Sequence, residues 1–167
     1  MKRLLLALAV LAVAAPAWGQ TPPTPAPVPA PAPPYGAPIG LEAAQALIDR
    51  AMEAARARGF RLAVAVVEPS GELVAFGRMD DVQYGSINVA QAKARSAARF
   101  RSATAAAEER LAGGRMALLA IDGLMPVAGG VPIVVDDRVV GAIGVSGASS
   151  AQDDEVARAA IAAVTGG

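Results

Sequence analysis

Apolar residues recur along the chain with two different spacings, and the change of spacing separates predicted helices from predicted strands. Residues 41–58 carry apolar side chains three and four positions apart, which is the spacing of a helix with one buried face. Residues 61–68 form a continuous apolar run, and residues 73–79 form a second one after a turn at residues 69–72. Two short apolar runs joined by a turn that contains Pro and Gly predict a β-hairpin.

The rest of the chain repeats this order of helix and hairpin. Helical spacing returns at residues 86–100, 103–111 and 149–164, and a second pair of apolar runs lies at residues 131–135 and 139–145. Strands that are paired as hairpins and flanked by helices favour an antiparallel sheet over the parallel sheet of a Rossmann domain. The pattern therefore predicts a layered α+β domain.

The first 19 residues have the composition of an export signal. Lys2 and Arg3 precede an unbroken apolar stretch at residues 4–15, and Ala17 and Gly19 place small side chains at the −3 and −1 positions of a signal-peptidase site. The apolar stretch is shorter than the roughly 20 residues that a membrane-spanning helix needs. We therefore expect cleavage after Gly19, a periplasmic or secreted protein, and no membrane span in the mature chain.

Residues 20–40 form a proline- and alanine-rich linker that leads to a domain at residues 41–167. Because proline fixes φ and lacks an amide donor, we expect the linker to be extended, polyproline II-like and unpacked, and to act as a spacer. A second interpretation is a ligand for a proline-recognising domain. Packing of Tyr35 on the edge of the domain stays open at this point.

The composition excludes several classes of site. The chain has no cysteine and no histidine, which excludes disulfides, thiolate metal sites, Ser-His-Asp catalysis and a histidine-ligated haem. Basic and acidic side chains number 15 each, so the protein lacks the broad positive field that holds nucleic acid. We expect neither a metal site nor a nucleic-acid partner.

Short motifs in the domain resemble the GlcG/HbpS family. The first hairpin carries AVVE at residues 65–68 and RMD at residues 78–80, and the second hairpin region carries GGVPI at residues 129–133 and GAIGVSG at residues 141–147. Between and after them, in the order and spacing of the family, stand Ser86, Ala90, Lys93-Ala94 and Gln152-Asp153. The match extends over residues 41–167.

The resemblance implies a profilin-like fold, in which an antiparallel sheet lies between layers of helices, and assembly into homo-oligomers. Family members include extracellular haem-binding proteins that partner sensor kinases, proteins that occur beside glycolate-oxidation enzymes, and domains of corrinoid adenosyltransferases. The resemblance thus implies a small-molecule ligand, with haem as a candidate cofactor. In this chain haem would have to be held without a His or Cys ligand.

Lys93 is the only lysine after the predicted signal peptide, and its position is unusual. On a helix it shares a face with Val89, Ala97 and Phe100, where a lone ammonium group is costly unless it is paired or lines a cavity. One interpretation is a buried ion pair with Asp80 or Asp153. The other is an anion contact in a ligand pocket.

Arg78 alternates with Val74 and Phe76, which points it to the same face of its strand as these apolar side chains. An arginine at the rim of a pocket can recognise a carboxylate through two parallel hydrogen bonds. The alternative is a salt bridge with Asp80 or Asp81.

Glycines and residues near them form a second group of candidates. Gly129-Gly130 and the GVSG sequence at residues 144–147, which contains Ser146, would cradle an anion or would serve turns and close packing. Ser150 and Asp153 form an S-x-x-D capping pattern at the start of the last helix. Candidate axial contacts to a haem iron are Met79, Met116, Met125 and Tyr84.

These observations lead to a leading hypothesis and two alternatives. The leading one is a non-enzymatic, exported protein that binds a small ligand such as haem or another tetrapyrrole in a pocket near Arg78 and Lys93. The alternatives are an enzyme or accessory factor for a small 2-hydroxy or keto acid, with Lys93 as acid/base or Schiff-base group, and a structural oligomer. The candidate ligand-binding residues are Arg78, Met79, Asp80, Lys93, Gly129, Gly130, Ser146 and Asp153.

Overall fold

The computed structural model describes residues 31–165. The predicted signal peptide at residues 1–19 and the first part of the linker lie outside the described residues. Helices extend over Leu41–Ala57 (α1), Gly85–Phe100 (α2), Thr104–Ala112 (α3) and Ser150–Thr165 (α4), and strands over Ala63–Val67 (β1), Leu73–Arg78 (β2), Gly130–Val135 (β3) and Arg138–Ser146 (β4). Each lies within two residues of its predicted position, because the spacing of apolar residues marks helices and strands directly.

The four strands form one antiparallel sheet with the order β2-β1-β4-β3. Each predicted hairpin pairs within itself, and β1 pairs with β4 at the centre of the sheet. The turn of the second hairpin is formed by Asp136 and Asp137, which have φ values of 47° and 57°. Two successive residues with positive φ give the tight turn that matches the twist of a hairpin.

The sheet lies between two layers of helices. On one face, Val64, Val66, Ile143 and Val145 pack with residues of α1 and α4 in the main hydrophobic core. On the other face, the core consists of alanines of α2 packed against small residues of β1 and β4. The predicted three-layer α+β architecture is therefore confirmed.

The layer of α2 lies unusually close to the sheet because the strands beneath it carry glycine. A Cβ atom at Gly144 would overlap the carbonyl oxygen of Ala90, and one at Gly130 would overlap that of Lys93. An alanine-rich core fills little volume per residue, so close approach of helix and sheet is how it reaches normal packing density.

The C-terminal part of the linker is packed against the domain, so the expectation of an unpacked segment is wrong there. Residues 34–39, which we call the strap, run beside the start of β4: Val139 donates to the Pro34 carbonyl oxygen at 2.8 Å, and the amide of Gly36 donates back to Val139 at 2.9 Å. β1 ends at Val67, opposite Ala142, which leaves this edge of β4 without a neighbouring strand. The strap satisfies backbone groups that would otherwise lack partners.

Tyr35 fixes the strap to the end of α2. Its hydroxyl group donates to the carbonyl oxygens of Ala98 and Arg99 at 3.2 and 2.9 Å, and the Arg101 guanidinium lies 5.1 Å from the centre of its ring. The packing of Tyr35 that the sequence left open is therefore present.

Residues 116–127, which carry no clear periodicity, contain a short 3-10 helix at Met116–Ala120. Among residues 31–165, no helix combines the length and the apolar character that crossing a membrane requires.

Candidate functional site

A buried ion pair joins α2 to the start of α4. The Lys93 Nζ donates to the Asp153 Oδ2 at 2.8 Å and to the Val145 carbonyl oxygen at 3.0 Å. The side chains of Lys93 and Asp153 are only 2% and 3% exposed. Of the two interpretations of Lys93, the structure therefore shows the ion pair, and it selects Asp153 over Asp80 as the partner.

The second carboxylate oxygen of Asp153 serves the backbone at the start of α4. Asp153 Oδ1 accepts the amide of Ala148 at 3.0 Å. The reciprocal capping pattern is formed one residue earlier than predicted: Ser149 and Gln152 exchange hydrogen bonds between side chain and backbone, whereas the Ser150 hydroxyl donates to Glu108. The predicted Ser150/Asp153 cap is wrong because Asp153 is engaged with Lys93 and with a residue before the helix.

Gly129 and Gly130 form the loop that closes over this pair. Gly129 has a φ of 116°, and a Cβ atom there would lie 2.8 Å from the Asp153 Cβ and 2.9 Å from the Lys93 Nζ. The Thr104 hydroxyl accepts the Gly130 amide at 2.9 Å, and Glu108 accepts the Ala128 amide at 2.8 Å. These contacts give the two glycines a role in close packing, the interpretation that needs no ligand.

Burial dominates the electrostatics of Asp153. Loss of solvent raises the pKa of its carboxyl group, and the hydrogen bonds and charge of Lys93, together with the Ala148 amide, offset part of this increase. A neighbouring ammonium group and a backbone donor are the compensation that a buried carboxylate needs.

Arg78 lies at a different place, in a cavity of about 370 Å³ between α1 and the end of the first hairpin. Lys93 is not among the residues that line it. The lining residues are Met52, Arg56, Arg61, Arg78, Met79, Asp80 and Asp81. We call this the arginine cavity. Among the described residues, no carboxylate lies within 4.0 Å of its three guanidinium groups, so the salt bridge of Arg78 with Asp80 or Asp81 that the sequence offered as an alternative is absent.

The candidate residues thus fall into two groups. Arg78, Met79 and Asp80 line the arginine cavity. The rest are buried around the ion pair: Lys93, Gly129, Gly130 and Asp153, with Ser146 buried at the end of β4. The single pocket near both Arg78 and Lys93 that the sequence suggested is not formed by these residues.

Sequence reasoning missed two of the three arginines. Arg61 precedes β1, and the pairing of Ala63 with Arg78 places it at the same end of the hairpin. The predicted hairpin alone would have brought Arg61 to Arg78. Arg56 is on α1, and its approach depends on how that helix crosses the sheet, for which the sequence carries no local signal.

The candidate axial ligands of haem are also scattered. Met79 is 8% exposed and lines the arginine cavity. Met116 and Tyr84 are 62% and 82% exposed and are not among the residues that line it. Among the described residues, no group of three or more carboxylates forms a metal site.

Comparisons with known proteins identify the family of this chain. The family model described as "Haem degrading protein HbpS-like" matches residues 39–162. GlcG of Escherichia coli strain K12 is 40% identical over 108 residues, which cover 65% of this chain and 81% of GlcG.

Solved structures agree with this match. A double mutant of Streptomyces reticuli HbpS superposes with a TM-score of 0.71 at 34% identity, over 84% of this chain and 98% of that one. A complex of PduOC with haem superposes with a TM-score of 0.69 at 25% identity, over 75% of this chain and 94% of that one. The chain therefore belongs to the HbpS-like family, as its sequence motifs predicted.

Proposed function

We propose that this protein binds a ligand with carboxylate groups in the arginine cavity, and that the ligand is haem or a related tetrapyrrole. The observation that carries the proposal is that Arg56, Arg61 and Arg78, all three exposed to solvent, line one cavity. Each guanidinium group is free of a carboxylate partner among the described residues.

Three arginines at one cavity are suited to an anion with more than one carboxylate. The planar guanidinium group forms two parallel hydrogen bonds to a carboxylate, and it remains charged at all relevant pH values. Asp80 and Asp81 line the same cavity. Their carboxylates would repel any anion that carries negative charge close to them. The propionates of a tetrapyrrole are carboxylates that would fit the arginine side.

The residues of the cavity fit the carboxylate end of haem and offer a soft ligand for its iron. Met52 and Met79 both line the cavity, and because a methionine thioether is an established ligand of haem iron, either residue would be able to hold it. Bound haem would supply a redox-active iron with a strong visible absorption. Support for haem also comes from the family description and from the solved complex of PduOC.

The alternative of an enzyme that uses Lys93 as acid/base or Schiff-base group has little geometric support. A Schiff-base lysine must be reached by the carbonyl group of a substrate. Lys93 Nζ is instead enclosed by Asp153, the Val145 carbonyl oxygen and Gly129.

Export and self-association belong to the same proposal. We propose cleavage after Gly19, which N-terminal sequencing of the protein recovered outside the cytoplasm tests directly; retention of Lys2 and Arg3 in that material would overturn it.

Homo-oligomer formation is proposed from the family resemblance, and light scattering of the purified protein measures it.

Titration with hemin tests the binding function. We expect a saturable Soret shift with the wild-type protein and an affinity about tenfold lower for Arg78→Gln. Arg115→Gln is the matched control, because Arg115 is exposed and is not among the residues that line the cavity. No Soret shift, or equal affinities for all three proteins, would overturn the proposal.

A further inference from the structure

A second cavity lies on the opposite face of the sheet from α1, between α2, α3 and the 3-10 helix. It has a volume of about 190 Å³. Its walls are largely apolar and include Phe100, Ala107, Leu118, Ile121 and Leu124. We call it the α3 cavity.

Large apolar side chains at the α3 cavity remain open to solvent. Phe100 is 39% exposed and Ile121 is 43% exposed, although both line the cavity. The sequence placed Phe100 on the buried face of α2, whereas the structure leaves it partly exposed at the end of this helix, beside the cavity. Met116 and Leu119, on the adjoining 3-10 helix, are exposed as well. Exposed apolar side chains that cluster around a concave site are typical of ligand or partner binding.

The polar lining of the cavity has one group without a protein partner. The Ser96 hydroxyl accepts the Met125 amide at 3.0 Å, and the Thr104 hydroxyl accepts the Gly130 amide. Arg110, an exposed residue, also lines the cavity. Among residues 31–165 it has neither a carboxylate within 4.0 Å nor a side-chain hydrogen bond.

We propose that the α3 cavity binds a small aliphatic monocarboxylic acid, with its chain against Phe100 and Ile121 and its carboxylate on Arg110. One free guanidinium group beside an apolar wall is complementary to one carboxylate on an apolar chain. This site is separate from the arginine cavity, and its ligand carries a single anionic group.

The volume limits the size of the acid. A water molecule occupies about 30 Å³ in the liquid, so the cavity has room for about six waters. A chain of about six carbons is therefore the upper range. A tetrapyrrole is far too large to enter this cavity, and the arginine cavity would hold only the carboxylate end of one.

The test is a titration of the isotope-labelled full-length protein with hexanoate, followed by amide chemical shifts. We expect saturable shifts confined to residues 103–107 and 118–124. Arg110→Gln should weaken hexanoate binding about tenfold, because a charge-assisted hydrogen bond is lost. Arg115→Gln, which changes a neighbouring exposed arginine outside the cavity, should leave binding unchanged.

Two further measurements keep the result unambiguous. Hexanol has the same chain without the charge, and its weaker binding should not depend on Arg110. Ala107→Leu fills the cavity and should abolish the binding of both compounds, while amide dispersion confirms that the variant is folded. The proposal is overturned by the absence of saturable shifts, by equal hexanoate affinity in Arg110→Gln, or by retained binding in Ala107→Leu. Hemin titration of the same variants reports on the arginine cavity independently.

Discussion

The Lys93 ammonium group donates to the Asp153 carboxylate at 2.8 Å, and both side chains are almost completely buried. The pair connects α2, on one face of the sheet, to the first turn of α4 on the other. It thereby fixes the two helical layers relative to the end of β4, whose Val145 carbonyl oxygen also accepts Lys93.

Breaking this pair should destabilise the protein strongly. Lys93→Met and Asp153→Asn each leave one buried group without its partner, and we expect a loss of about 3–5 kcal/mol in the free energy of unfolding. The double variant should lose less than the sum of the two, because the partners are removed together. Urea denaturation measures all three, and strictly additive losses would show that the two residues are not coupled.

The cost of Lys93→Met should depend on pH. In this variant Asp153 keeps the burial that raises its pKa and loses the ammonium group that lowers it. The pKa of such a carboxyl group is higher in the folded protein than its value of about 3.9 in the unfolded chain. Its contribution to stability is fully present below the unfolded-state pKa and is lost as the pH rises through the folded-state pKa. The deficit relative to wild type should therefore be large near neutral pH and shrink on acidification.

Denaturation of wild type and Lys93→Met over the range from about pH 8 to about pH 4 measures this deficit. The double variant with Asp153→Asn lacks the titrating group and should show a deficit that changes much less with pH. A deficit of Lys93→Met that stays constant over the range would contradict the account.

Gly129→Ala should lower the free energy of unfolding more than Gly123→Ala does. Both glycines have a positive φ, but only Gly123 has open space where a Cβ atom would lie. Gly129 has φ of 116° and no room for a Cβ beside Asp153 and Lys93, whereas Gly123 has φ of 76° and nothing within 4 Å of the added atom. We expect about 1–2 kcal/mol for Gly123→Ala from backbone strain, and about 1–3 kcal/mol more for Gly129→Ala from overpacking. Equal losses in thermal denaturation would mean that the loop moves away from the pair at no cost.

The strap should be held by the Tyr35 hydroxyl group. Tyr35→Phe removes its donation to Ala98 and Arg99 and keeps the ring beside Arg101, so a loss of about 0.5–1.5 kcal/mol is expected. Tyr84→Phe is the matched control, since that side chain is 82% exposed. Limited proteolysis should cut the strap faster in Tyr35→Phe alone; equal rates in the two variants would argue against this attachment.

The sequence predicted the helices, strands and hairpins because their signals are local, but it could not predict contacts between elements distant along the chain. The spacing around Lys93 showed that the lysine faces the interior, while its partner stayed open between Asp80 and Asp153. That choice depends on α4 reaching the end of β4, which no local pattern records. The same reason separates Arg78 from Lys93. Arg78 is exposed at the end of β2, whereas Lys93 is buried and paired with Asp153 of α4.

The strap shows a second limit of prediction from the sequence. Its proline content predicts an extended chain, yet the edge of β4 that receives it is free only because β1 ends at Val67. Composition predicts only the local conformation of such a segment. Whether the segment packs against the domain depends on the length of β1, a different part of the chain.

The central claim, that the arginine cavity binds the carboxylates of its ligand, is tested most directly by comparing hemin with its dimethyl ester. Hemin should bind the wild-type protein at least about tenfold more tightly than the ester, because the ester cannot pair with arginine. In Arg61→Gln/Arg78→Gln this preference should disappear, whereas Arg115→Gln should retain it. Equal binding of hemin and its ester by the wild-type protein, or an undiminished preference in the double variant, would contradict the account.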